Sequence, residues 1–250
     1  MTKKTSYIKL TKCSLEFKLN FRRQTLKVLN QVTVDIKQGE FFVFLGPSGS
    51  GKSTLLRVMS GIEKGYTGSM ETHSELTTDD MSFVFQQFAL FPWLTVYDNI
   101  ALGLLSRNES EAVIKKKVLK EAKELGLDKF LDSYPKELSG GMKQRVGIAR
   151  ALVTDPKVIF MDEPFSGLDS FIASELRKEL LRIWEEKGIT IILVTHLVSE
   201  AVEMADRIAI VTPRPATIEK IIENKLARPR KHRTKTFYAL EDKITEIVRP

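Results

Sequence analysis

Residues 40–56, EFFVFLGPSGSGKSTLL, decide how the rest of the chain is read. Phe41–Leu45 is an unbroken apolar run of strand length, the pattern of a strand covered on both faces. Gly46, Pro47, Ser48, Gly49, Ser50, Gly51, Lys52 and Ser53 then fill G-x-x-x-x-G-K-[ST], and Thr54 leads into a helix that Gly61 is placed to end. Glycines at these places let backbone N–H groups turn inward around phosphate oxygens where side chains would clash. Lys52 supplies a point charge to the β- and γ-phosphates of a nucleotide, and the Ser53 hydroxyl completes a magnesium shell. The following helix adds its positive N-terminal end.

Outward from this stretch, strands and helices alternate, which implies an α/β fold with a mainly parallel sheet. Further strands are expected at 157–163 (KVIFMDE), 190–196 (TIILVTH) and 207–212 (RIAIVT). Between the first two, Ile172, Leu176, Leu180, Ile183 and Trp184 recur at helical spacing, with Gly188 as the stop. Residues 97–135 hold no strand pattern and read as a helical insertion, within a helical subdomain spanning about 88–155. Asn108 with Glu111 reads as one of its helix starts. Residues 6–36 alternate like strands and are expected to form an antiparallel flank. A single domain is therefore assigned to 6–215, followed by a basic tail over 216–250.

Bulk properties exclude several classes. No apolar run approaches the roughly 20 residues of a membrane-spanning helix. The N-terminal MTKKTSYIKL has no apolar stretch behind its charges, so no secretory signal is expected. Cys13 is alone and reads as a small buried apolar residue. The net charge of +7 is concentrated in 225–235 (KLARPRKHRTK), whose six Lys/Arg leave about +1 on the remainder, so no nucleic-acid partner is expected. This segment suits an anionic membrane surface, a partner or simple solvation. His73 and His232 read as surface residues.

Two more stretches carry chemistry. Residues 158–164, VIFMDEP, end a buried strand with Asp162, placed to reach magnesium, and Glu163, placed one step further to polarise an attacking water. Residues 138–152, LSGGMKQRVGIARAL, put Ser139, Gly140 and Gly141 immediately before a helix, an arrangement suited to a second phosphate contact. A chain that already cradles phosphate at Lys52 has no evident need of another on the same molecule. Two chains, head to tail, each closing its Ser139 motif over the other's nucleotide, resolve this.

With Gln86 in VFQQ, SGLD at 166–169 and His196 in VTH, residues 6–215 resemble the nucleotide-binding subunits of ABC transporters. The resemblance implies ATP and Mg2+ as ligands. It implies that Gln86 contacts magnesium and the attacking water, that Asp169 acts across the dimer interface and that His196 touches the γ-phosphate. An adenine-stacking aromatic is expected at Phe17, with Phe21 the alternative, and Leu197 stands where many relatives have Asp. Lys52 and Ser139 lie 87 residues apart, too close for the coiled-coil insertion of chromosome-structure ATPases, and translation-linked relatives carry two cassettes.

The remaining reading is an ATPase partnered with integral-membrane permease subunits and, indirectly, an extracytoplasmic solute-binding protein, seated on the cytoplasmic face of the membrane. FPWLTV (91–96) is similar to the nitrate/sulfonate/taurine/bicarbonate importer branch. In that branch Phe88, Leu90, Phe91, Pro92 and Trp93 would receive a helix of the permease. An ATPase for lipid or lipoprotein handling is the alternative.

Overall fold

The computed structural model describes residues 5–19, 24–232 and 234–248, and Phe21 lies outside them. The chain forms two compact units, one from Met1–Thr78 with Ile189–Pro250 and one from Asp79–Gly188.

The first unit begins with two long strands, β1 (Ser6–Leu19) and β2 (Gln24–Lys37), paired antiparallel. Val32, Val34 and Ile36 are buried between more exposed neighbours, the alternation of a sheet with one covered face. After β3 (Phe41–Leu45) and α1 (Lys52–Met59), β4 (Thr67–Thr72) pairs with the other side of β1. β4 is polar and mostly exposed along its length, and so gave no periodic signal.

The second unit starts with β5 (Met81–Val84) and continues through α2 (Val96–Leu105), α3 (Glu111–Glu124) and α4 (Gly140–Leu152). β6 (Val158–Asp162) lies parallel to β5, and α5 (Ser170–Lys187) follows. α5 buries Leu176, Leu180, Ile183 and Trp184 and stops at Gly188, whose φ of 63° suits glycine. The start expected at Asn108 falls differently: Ser110 is the N-cap of α3, and Asn108 adopts φ 55° while its N–H bonds Leu105 O in the turn that closes α2. Asparagine tolerates that left-handed position, which competes with its capping role.

The chain returns to the first unit with β7 (Thr190–Thr195), α6 (Val198–Met204), β8 (Arg207–Val211), β9 (Ile218–Glu223) and α7 (Lys235–Val248). β3 is flanked by β7 and β8, both parallel to it, and all five of its residues are buried, as its uninterrupted apolar sequence demands. β9 closes against β8 antiparallel. α7 anchors through Phe237 and Ile244.

Simple solvation does not describe the basic segment. Arg230 is only 9% exposed and donates to the carbonyls of Val202, Glu203 and Ala205, the last turn of α6, as well as to Leu226. It works as a helix C-cap supplied from distant sequence, satisfying carbonyls that have no partner within the helix. Burial pushes its guanidinium down to about 10. Arg228 pairs with Asp206. His232 is more than a surface residue: it lies 3.0 Å from Glu203 and packs its ring on Phe237. Among the described residues, no helix is long and apolar enough to cross a membrane.

Candidate functional site

The glycine loop sits where β3 ends. Register pairs Leu45 with Thr195, and Gly46 N–H donates to Thr195 O at 3.4 Å, so the loop and His196 emerge side by side from adjacent parallel strands. Ligands of open α/β sheets bind at such carboxyl ends. Gly46 is required for packing: a Cβ there would lie 2.5 Å from Val211 O. Gly49 (φ 74°) and Gly51 (φ 108°) occupy the left-handed region that side chains resist. Lys52 is 3% exposed and its Nζ donates to Gly46 O and Pro47 O, at 2.9 and 2.8 Å, which aims the ammonium into the loop. Ser48 and Gly49 are exposed, whereas Ser50 is buried with an Oγ that has no partner among the described residues. A buried hydroxyl without a partner beside a buried ammonium and αL glycines fits a polyphosphate. Ser53 and Thr54, on the first turn of α1, are half-buried.

His196 is exposed. Behind it, Thr195 Oγ1 donates to Glu200 Oε2 at 2.6 Å and accepts from Leu197 N–H at 3.1 Å. Leu197 is the N-cap of α6 and offers no side-chain cap, and its own N–H is satisfied by the Thr195 hydroxyl just before the helix. Phe17 is 36% exposed on β1, opposite Leu26.

In the second unit, Asp162 closes β6 and is 2% exposed. Glu163 follows at φ 43°, a left-handed conformation for a residue with a Cβ. Such conformations cost about 1–3 kcal/mol and concentrate where side-chain aim matters. Asp169 caps α5 by accepting from the N–H groups of Phe171 and Ile172. Ser139 caps α4 by accepting from Met142 N–H at 3.3 Å, and both it and Gly140 are exposed. Gly141 differs: it is buried, and a Cβ would lie 2.5 Å from Ile172 Cγ2, so close packing on α5 explains its lack of a side chain.

Gln86 lies exposed just past β5, at the head of an irregular loop. Phe91 and Trp93 on this loop are 41% and 69% exposed, with ring centroids 5.4 Å apart. Phe88 and Leu90 are half-buried and Pro92 exposed. Two residues absent from the sequence reading hold the loop: Asn99 of α2 and Arg150 of α4. Their signal in sequence is faint, because each acts on backbone and neither belongs to a spaced motif.

The family model described as ABC transporter matches residues 29–166. The aliphatic sulfonates import ATP-binding protein of Bacillus cereus is 43% identical over 225 residues, covering 89% of this chain and 88% of the relative. The sulfate/thiosulfate import ATP-binding protein of Pseudomonas syringae is 43% identical over 194 residues, 74% of this chain and 60% of its own. Among solved structures, the dimeric ATP-binding cassette MJ0796 bound to ADP and Pi superposes with a TM-score of 0.75 at 32% identity, covering 88% of this chain and 100% of its own.

Proposed function

Because the chain belongs to the ABC transporter family and is an ATP hydrolase, we propose that it is the ATPase subunit of an importer for a small sulfonate- or oxyanion-like solute. The observation that carries this reading is the 43% identity to a sulfonate-import ATPase across 89% of the chain, with the complete glycine loop inside the aligned family. Its partners are integral-membrane permease subunits, a second copy of itself and, indirectly, an extracytoplasmic solute-binding protein. It sits peripherally on the cytoplasmic face of the membrane. Nothing favours a lipid-handling role.

Lys52, Ser50 and backbone amides within 48–54 hold the triphosphate, Phe17 stacks on adenine, and Ser139 with Gly140 and Gly141 of the second copy closes over it. Ser53, Asp162 and Gln86 would hold Mg2+, which when bound would supply neutralising charge to the triphosphate. Glu163 takes the proton from the water that attacks the γ-phosphate, Gln86 orients that water, and His196 holds the γ-phosphate geometry. Phe91 and Trp93 receive the permease, since exposed aromatics on a rigid loop are typical interface anchors.

The test is co-expression with the integral-membrane protein encoded beside the gene, reconstitution into vesicles and ATP-driven uptake of radiolabelled taurine or an alkanesulfonate. Uptake that depends on Lys52 supports the reading. Active hydrolysis without any membrane association would overturn it.

A further inference from the structure

The loop that carries Phe91 and Trp93 is held in an unfavourable shape by side chains from two helices. Phe88 and Ala89 are consecutive residues at φ 58° and 47°. For residues with a Cβ this region costs roughly 1–2 kcal/mol each. Arg150, in the last turn of α4, donates to both strained positions, to Ala89 O at 2.6 Å and to Phe88 O at 2.9 Å. One turn earlier on the same helix, a Cβ at Gly147 would lie 3.6 Å from Phe88 O, so the loop rests on this face of α4. Burial pushes the Arg150 guanidinium below its usual range, so this fork is held at a desolvation cost.

Further along, Asn99 is fully buried. Its Oδ1 accepts from Phe91 N–H at 2.9 Å, and its Nδ2 donates to the carbonyls of Phe91, Leu94 and Thr95 at 3.1, 3.1 and 2.9 Å. The backbone beneath Phe91 and Trp93 is therefore pinned while the rings face outward.

We propose that Arg150 and Asn99 are positioning residues for coupling: they fasten the permease-facing loop to the helical layer, so that Ser139 at one end of α4 and the aromatics at its other end move as one piece. α4 is 13 residues long, about 20 Å at 1.5 Å per residue, and its N-cap is Ser139 itself. A displacement of Ser139 on closing over nucleotide reaches Phe88 and Ala89 through a stiff rod and one bidentate fork. Asn99 carries it on to Phe91 and Thr95. This rests on the reading that Phe91 and Trp93 receive the permease.

The experiment compares Arg150→Met, Arg150→Lys and Asn99→Ala as free subunits and as assembled complexes with the permease. The free subunits are expected to keep hydrolysis and ATP KM within about twofold. The assembled complexes are expected to lose most of the solute-dependent stimulation of hydrolysis. Arg150→Lys should rescue little, because one ammonium cannot reproduce the planar fork. As an independent readout, Trp93 fluorescence is followed in a Trp184→Phe background. Loss of either anchor should raise acrylamide quenching and lower anisotropy of Trp93 without moving the far-UV spectrum. Wild-type stimulation in all three variants, or an equal loss in free and assembled forms, would overturn the proposal. Failure of the wild-type chain itself to associate with the permease would overturn the transporter reading and the proposal with it. A rigid Trp93 in wild type that loosens in the variants would then show only that the loop is anchored.

Discussion

The glycine loop and the aromatic loop solve the same geometric problem in opposite ways. Both turn just past the end of a strand, and both place two residues in the left-handed region. The first does so with glycines at 49 and 51, where the conformation costs nothing in side-chain clash. The second does so with Phe88 and Ala89, and meets the cost with hydrogen bonds from Arg150. A loop that must wrap an anion with backbone has no room for side chains. One that must present side chains cannot be made of glycine, so its shape has to be imposed from outside.

Glu163 belongs with the second kind, since it combines φ 43° with a side chain proposed as the general base. The largest expected effect is there. Glu163→Gln should lower hydrolysis at least about 10²-fold, the low end of a general-base contribution, while ATP still binds. Steady-state hydrolysis with a fluorescent-nucleotide titration checks this, and normal turnover would remove Glu163 from the base role. Next is Lys52→Ala, which should weaken ATP binding about 10- to 100-fold, the worth of charged hydrogen bonds. Unchanged affinity would mean that the loop does not depend on its ammonium.

The two remaining substitutions exchange the loops' strategies. Gly49→Ala has open space for its methyl but keeps φ 74°, so only conformational strain opposes it, at about 1 kcal/mol of stability. Ala89→Gly relieves about 1–2 kcal/mol of strain at φ 47° against about 0.4–1 kcal/mol of added unfolded-state entropy, leaving stability at or slightly above wild type. Denaturant melts of the pair should therefore differ clearly, and equal losses would contradict the strain account. A Cys13 control completes the set. Burial raises its thiol to about 11, so it should react with a thiol reagent at neutral pH only after unfolding.

The same contrast explains what could be read from sequence. The strand, glycine loop and helix over 40–56 are governed by neighbours within a few residues, and α5 announces itself by an apolar stripe and Gly188. The antiparallel flank and the parallel strands β3, β6, β7 and β8 likewise follow from local pattern. Arg230 looked like one charge in a solvated basic run. Its role depends on α6 carbonyls some 25 residues earlier, which composition cannot show. Arg150 escaped for the same reason, since it reaches a loop about 60 residues away, whereas Asn99 acts locally on backbone and leaves no spaced pattern. Gly141 reads as part of a motif expected to contact phosphate, and its close approach to Ile172 on α5 also demands glycine.

The central claim is that two copies share each ATP, with Lys52 supplied by one and Ser139 by the other. The most direct measurement is the mass in solution of the Glu163→Gln chain at saturating ATP and Mg2+, with and without an added Ser139→Arg. Glu163→Gln should have twice the 28.4 kDa of one chain, and adding Ser139→Arg should return it to a single chain. A single chain in both cases, or a dimer indifferent to Ser139, would contradict the claim.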